Sequence, residues 1–534
     1  MLTLNKFIYL IALLLILVLG ACSNTSSKMD HSNMNMDNTK EESESSKDSK
    51  IENSNATQKI EKNEFTIVAQ ERKHTLIESI NVNAWTFNGS VPGPEIRVQE
   101  GENVKINLKN ELKDPVTIHW HGIPVPNNMD GIPGVTMNAV QPGESFTYEF
   151  LATVPGTYWY HSHQDGVNQV DKGLYGSFII ESKEQKDYNR DYVLVLDEWM
   201  SDPESMDMES SDKMEGMDHE SMNMESEEME GMDMEATQTE EMGHDMSMYD
   251  IFTINGKSGK DIPSLPVKEG EKVRIRLVNA GFMSHKIHLH GHDFKIISSD
   301  GQEITNPEIL KDELISIAPG ERYDIEFTAD NPGKWYLECH GDMEGTEGMK
   351  TMIEYEGFEG EVNDEPNSQD TLPVFDLTSY GKNKVGEFTL DQAYDISYTM
   401  NLNTENNGTE NIYTINDKTF PETESLNVKE GDLVKVTLVN NSAEDDHPMH
   451  LHGHFFQVLS KNGKPIKGSP IVKDTLNLKP GEEYIVAFKA DNPGDWMFHC
   501  HDLHHATAGM VTNVMYDGFK PNFTPDPKAN NKPE

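Results

Sequence analysis

Three stretches of the chain alternate apolar and polar residues in the same way: VQEGENVKINLKN at 98–110, VKEGEKVRIRLVN at 267–279 and VKEGDLVKVTLVN at 428–440. A period of two sends successive side chains to opposite faces, so each stretch predicts a half-buried strand entered through a Glu-Gly turn. Each is followed by a histidine-bearing segment, IHWHG, IHLHGH or MHLHGH, and then by a second strand pattern, QPGESFTYEF, APGERYDIEF or KPGEEYIVAF. A last strand closes each copy: VPGTYWYHSH, NPGKWYLECH and NPGDWMFHCH. Short strands, Pro-Gly turns and the lack of a long amphipathic helix predict an all-β protein of three sandwich domains. The chain turns polar near residues 185 and 375, which gives domains at 63–185, 186–375 and 376–518 and a tail at 519–534.

Two segments break this pattern. Lys6, the apolar run Ile8 to Leu19 and the sequence LGAC read as an export signal over 1–21, too short to span a membrane comfortably. The signal resembles that of bacterial lipoproteins. That resemblance implies a lipid-modified Cys22, a disordered polar tether over 22–62 and anchoring at the outer face of the cell membrane. The other segment, 201–248, alternates methionine with Asp, Glu and Ser and lacks aromatic residues, so it predicts a mobile insertion in the second domain.

Charge and cysteine content narrow the class. The 534 residues carry 92 acidic and 44 basic side chains, a formal net charge of -48. A surface this acidic repels polyanions and excludes nucleic acid as a partner. Cys22, Cys339 and Cys500 are the only cysteines, so no disulfide framework holds the fold.

The candidate chemistry lies in HCHDLHHATAGM, 499–510. A thiolate, two imidazoles and a methionine thioether are the ligand set of a blue-copper electron-transfer site. Cys500, His505 and Met510 offer three of these, and His447 in HPMHLHGH is the candidate for the fourth. His499 and His501 flank Cys500 and so point to the face opposite its sulfur. Similar pairs occur at His119/His121, His161/His163 and His450/His452. Eight imidazoles converging from two domains suit a copper cluster, and electrons entering through Cys500 suit the reduction of dioxygen.

With HWHG (119–122), HSH (161–163), HPMHLHGH (447–454) and HCHDLHHATAGM in this order, residues 63–518 resemble the three-domain multicopper oxidases, a family that includes laccases and bacterial copper-tolerance oxidases. The resemblance implies three consecutive cupredoxin-like Greek-key sandwiches, a monomer as sufficient unit, and four copper ions. It places type 1 copper on His447, Cys500, His505 and an axial Met510. Type 2 copper falls to His119 and His450, and the type 3 pair to His121, His161, His163, His452, His499 and His501. The axial methionine implies a moderate potential. Asp130, in MDGIPG, matches an acid that aids proton delivery. Relatives often carry a glutamate after the second type 1 histidine; here it is Ala506, which leaves the proton route to Asp502 or a water chain.

The middle domain aligns His285 with His447, Cys339 with Cys500 and Met349 with Met510, and puts Glu344 where His505 stands. This reads as an ancestral remnant of a blue site, or as a second metal site with unusual ligands. Ser162 replaces the cysteine in the first domain, and His288, His290 and His292 stay outside the copper count. For the substrate, thioethers select Cu(I) and carboxylates hold Cu(II). The insertion offers both, with His219 and His244 added, and the tether repeats the theme in Met29, His31, Met34 and Met36. The expected reaction is oxidation of Cu(I) to Cu(II) in copper tolerance, with Asp445 and Asp446 receiving the ion beside His447. The alternatives are a laccase-like oxidase of phenols or aromatic amines and a surface copper scavenger.

Overall fold

A computed structural model describes residues 63–184, 187–201, 248–341, 343–363, 372–406 and 411–533. The export signal, the tether with Cys22, and the insertion apart from its two ends lie outside the described residues. Strand accounts for 47% and helix for 6%. The strands form six sheets in three pairs, each pair drawn from one stretch of chain.

The first pair comprises a four-stranded sheet, ordered Ile80–Phe87, Glu64–Ile77, Asn103–Asn110, Ser145–Leu151, and a three-stranded sheet, ordered Gly93–Gln99, Tyr175–Glu181, Gly156–His161. Ile67, Leu108, Ile96 and Phe178 from the two sheets share one core. Six- and five-stranded sheets follow over 190–355, then seven- and five-stranded sheets over 396–516. The alternation in the sequence appears directly as burial. In Asn103–Asn110, Val104, Ile106 and Leu108 face the core while Asn103, Lys105 and Lys109 face water. Leu433–Asn440 alternates buried and half-buried residues in the same way, and Lys272–Asn279 starts so but is buried on both faces from Ile275 onward. Each such side chain removed from water stabilises the fold by roughly 1.5–3 kcal/mol.

The histidine segments end in a turn that a large ring dictates. Gly453 has φ +67°, and an added Cβ would come within 2.6 Å of the Trp496 indole. Gly291 repeats this with φ +68° against Trp335. The tail folds back on the first sandwich: Ala139 N donates to Asn531 Oδ1 (2.8 Å), Gln164 Nε2 to Asn530 O (2.9 Å) and Asp165 N to Lys532 O (2.9 Å).

Candidate metal centre

The strand His447–Leu451 pairs antiparallel with Asp495–Cys500, which sets His450 opposite His499 and Met449 opposite Cys500. In the first sandwich His119 bridges to His161. The histidines of each HxH pair therefore emerge on one face, and the faces from the first and third sandwiches meet. His163, His452 and His499 form one triad, with ring centroids 5.0–5.5 Å apart. His121, His161 and His501 form another at 4.7–5.8 Å. His119 and His450 stand 5.8 Å apart. All eight are buried.

The outward nitrogens of these rings are pinned. His119 Nδ1 donates to the Asp130 carbonyl (2.9 Å), His161 Nδ1 to that of Ser162 (2.8 Å), His450 Nδ1 to that of Asp474 (3.0 Å) and His499 Nδ1 to that of Cys500 (2.8 Å). Such a bond makes Nδ1 the protonated nitrogen and leaves the Nε2 lone pair free. His452 donates instead to Asp130 Oδ2 (3.0 Å), and Asp130 Oδ1 is 3.2 Å from His119 Nδ1, so one carboxylate orients rings from two domains. His121 is turned the other way, with Nε2 against Thr475 Oγ1 (3.0 Å) and Asp474 Oδ1 (3.2 Å). The inner atoms, Nε2 of His119, His161 and His450 and Nδ1 of His121, have no hydrogen-bond partner. Buried donors without partners, converging from several directions, fit bound metal. Burial, reinforced by neighbouring imidazoles, drives His121, His161, His163, His452 and His501 well below the usual histidine range, so they are neutral, as metal ligation requires.

Asp474 and Arg322 were not legible as site residues in the sequence, because nothing in their own segments marks them. Arg322 holds the Asp474 carboxylate with two hydrogen bonds, 2.7 and 2.6 Å, and both are fully buried. Burial opposes the charge, but Arg322 outweighs it and keeps the carboxyl below the ordinary range.

On the far side of Cys500 lies a second group. Sγ is 3.8 Å from His447 Nδ1 and 3.6 Å from His505 Nδ1, and the two nitrogens are 3.2 Å apart. Met510 is fully buried in the same core, and its carbonyl accepts from Cys500 N at 3.0 Å. Burial pushes the Cys500 thiol well up, His447 down to about 2 and His505 down to about 4. Two neutral imidazoles around a sulfur that ionises only beside a cation fit a soft metal ion. Ser442 Oγ holds His447 Nε2 at 2.7 Å, and Tyr413 stacks on His505 with centroids 3.9 Å apart.

Asp446 Oδ2 accepts from Asn477 Nδ2 (2.8 Å), and the charge of Asp445 favours the protonated form of His505 against its burial. Asp502 caps the short helix Leu503–Thr507 by accepting from His504 N (3.1 Å), and its other oxygen lies 3.4 Å from His505 Nε2. It thus attends the outer edge of His505 rather than the histidine cluster.

In the middle domain, Cys339 Sγ lies 3.8 Å from His285 Nδ1, matching Cys500 and His447, and Met349 is fully buried. Glu344 does not stand where His505 does: it is exposed. The chain here makes a tight turn through Gly345 (φ +91°) into Thr346–Gly348, in place of the helix that carries His505. Glu198, from a strand that spacing could not bring in, meets His285 Nε2 at 3.1 Å. Burial works against protonation, but Cys339 and Glu198 outweigh it and lift His285 to about 10. Cys339 and Glu198 thus favour the protonated form of His285.

Family models described as Multicopper oxidase match residues 69–185, 227–357 and 389–518. The chain belongs to the multicopper oxidases, enzymes with type 1, type 2 and type 3 copper centres. It is 29% identical to Multicopper oxidase MmcO of Mycobacterium tuberculosis, over 82% of this chain and 83% of that protein. It is 25% identical to a Copper resistance protein A homolog of Pseudomonas syringae pv. tomato (81% and 88% covered) and 30% identical to Laccase-2 of Botryotinia fuckeliana (80% and 78%). The crystal structure of a multi-copper oxidase from Pseudomonas thermotolerans superposes with a TM-score of 0.63 at 27% identity, covering 85% of this chain and 98% of that one.

Proposed function

We propose that the chain oxidises Cu(I) to Cu(II) and passes the electrons to dioxygen: four Cu(I), one O2 and four protons give four Cu(II) and two waters. His447, Cys500, His505 and Met510 would hold type 1 copper, and His119 and His450 type 2. His121, His161 and His501, with His163, His452 and His499, would hold the type 3 pair. Copper bound there supplies one-electron transfer at Cys500 and dioxygen reduction at the histidine cluster. Cys500 joins the two groups covalently, since His499 and His501 are its chain neighbours. Asp130 keeps His119 and His452 aimed inward and offers a carboxylate for protons arriving at the cluster.

The observation that carries Cu(I) as substrate is where the methionine-rich insertion is rooted. Its ends are tied by Ser201 Oγ donating to Asp250 Oδ2 (2.6 Å), and Met200 and Met248 pack into the middle core. Tyr249 lies against Phe282 (6.0 Å), and Phe282 against His504 (4.9 Å), the neighbour of His505. The two ends of a segment rich in Cu(I)-selective thioethers are thus anchored in the core that Phe282 shares, and Phe282 touches the neighbour of His505. The relative named a copper resistance protein supports this reading. The laccase relative supports oxidation of phenols instead. Export and a lipid on Cys22 would set the enzyme at the outer face of the membrane, where incoming copper is met.

Oxygen uptake by the copper-loaded protein, with and without residues 202–247, separates the readings. Loss of the segment is expected to lower kcat/KM for buffered Cu(I) at least about ten-fold, roughly 1.4 kcal/mol of transition-state stabilisation, and to leave dimethoxyphenol oxidation unchanged. Unchanged Cu(I) oxidation with faster phenol oxidation would establish the laccase reading. Absence of uptake with either substrate at full copper loading would establish the scavenger.

A further inference from the structure

The middle domain keeps three histidines at positions that match ligand candidates of the third domain. His288 pairs across the sheet with Glu338, as His450 does with His499. His290 stands where His452 does in the repeat, and His340 where His501 does. Ring centroids of His288, His290 and His340 lie 4.2–5.7 Å apart, and one nitrogen from each comes within 4.8 Å of the others. The residues are 5%, 8% and 9% exposed, yet both ring nitrogens of His288 and His340 make no hydrogen bond, and His290 Nε2 meets only the Glu338 carboxylate. By contrast His292, from the same segment, is fully engaged by the His290 carbonyl and Tyr355 hydroxyl. The Glu338 carboxylate lies 3.0 Å from His290 Nε2 and 3.7 Å from His340 Nε2, and Asp312 lies 3.9 Å from His288 Nε2 on the solvent side.

We infer that His288, His290, His340 and Glu338 form a one-ion site for a divalent late transition metal, Cu(II) first, separate from the coppers of the oxidase. Three imidazoles and a carboxylate are a four-coordinate donor set for Cu(II) or Zn(II), and Cu(II) binds such sets more tightly.

The test uses the full chain loaded with copper and dialysed against a weak chelator. The parent is expected to retain one more Cu(II) per chain than His288→Ala/His340→Ala, seen by elemental analysis and as an additional nitrogen-coordinated signal in electron paramagnetic resonance. The blue absorbance and phenol oxidation should be the same in both. Equal copper counts would overturn the proposal. If the double variant loses its blue colour, anomalous diffraction from crystals of the parent decides. A copper-edge peak between the three imidazoles supports the site, and an empty map there overturns it. A zinc-edge peak when both ions are offered equally would overturn copper as the preferred ion.

Discussion

Asp130 uses its two oxygens on two domains, Oδ1 toward His119 and Oδ2 toward His452. Asp130→Asn replaces one acceptor with an amide that must face an imidazole N–H. We expect a 10–100-fold loss of activity or cluster copper affinity, the usual consequence of removing a carboxylate behind a metal-binding histidine. Oxygen uptake and retained type 2 copper measure it, and the blue absorbance at Cys500 should persist. Asp130 was legible because it follows HWHG in MDGIPG; Asp474, Arg322, Ser442 and Tyr413 were not, because they come from segments whose sequence carries no ligand signature. His285 gives a prediction in pH. Its folded pKa, about 10, lies above the ordinary 6.5, so the protonated form is favoured by folding. The stabilisation is complete below about pH 6.5 and is lost as pH rises through about 10. The margin by which the parent's thermal midpoint exceeds that of His285→Gln should therefore shrink over that interval; a constant margin would show that His285 is not charged.

Among the elements, the strand Asp495–Cys500 and the five-residue helix after it carry the most. Strand alternation sends Cys500 to one side and His499 and His501 to the other, and this was readable from HCH alone. The helix then turns His505 back toward the sulfur, with Asp502 both capping it and touching His505. Asp502→Asn keeps a good cap but removes a charge beside His505, which we propose holds type 1 copper. The type 1 potential should rise, by on the order of 60 mV for a ten-fold shift in a one-electron equilibrium. Burial raises the Asp502 carboxyl, so the parent's potential should fall as pH increases and this group ionises. Redox titration against pH checks both, and a variant with the parent's pH dependence would assign it elsewhere. The same reasoning explains why Glu344 was misplaced: equal spacing from a cysteine gives equal geometry only if the intervening turn has the same path, and Gly345 changes it.

For the molecule as a whole, the histidine cluster depends on the first and third sandwiches staying together. The C-terminal tail contributes to this. It leaves the third sandwich and bonds to Ala139, Gln164 and Asp165, the last two immediately after His163. Hydrogen bonds of this kind contribute about 0.5–1.5 kcal/mol each. Removing residues 526–534 should lower stability by a few kcal/mol, and should release cluster copper to a chelator faster than type 1 copper. Elemental analysis and blue absorbance followed over time distinguish the two.

The sequence by itself determined the strands, the three-fold repeat and nearly every copper-ligand candidate. These rest on local periodicity and contiguous motifs, and a period of two specifies which side chains share a face. It does not specify which faces meet. Only the tertiary structure decided that His121 joins His161 and His501, while His163 joins His452 and His499. It also decided that Glu198 rather than Glu344 meets His285, that Arg322 and Asp474 back the cluster, and that Phe282 links Tyr249 to His504. Each of these contacts joins residues far apart in the chain. Sandwich packing brings them together, and no local pattern records it.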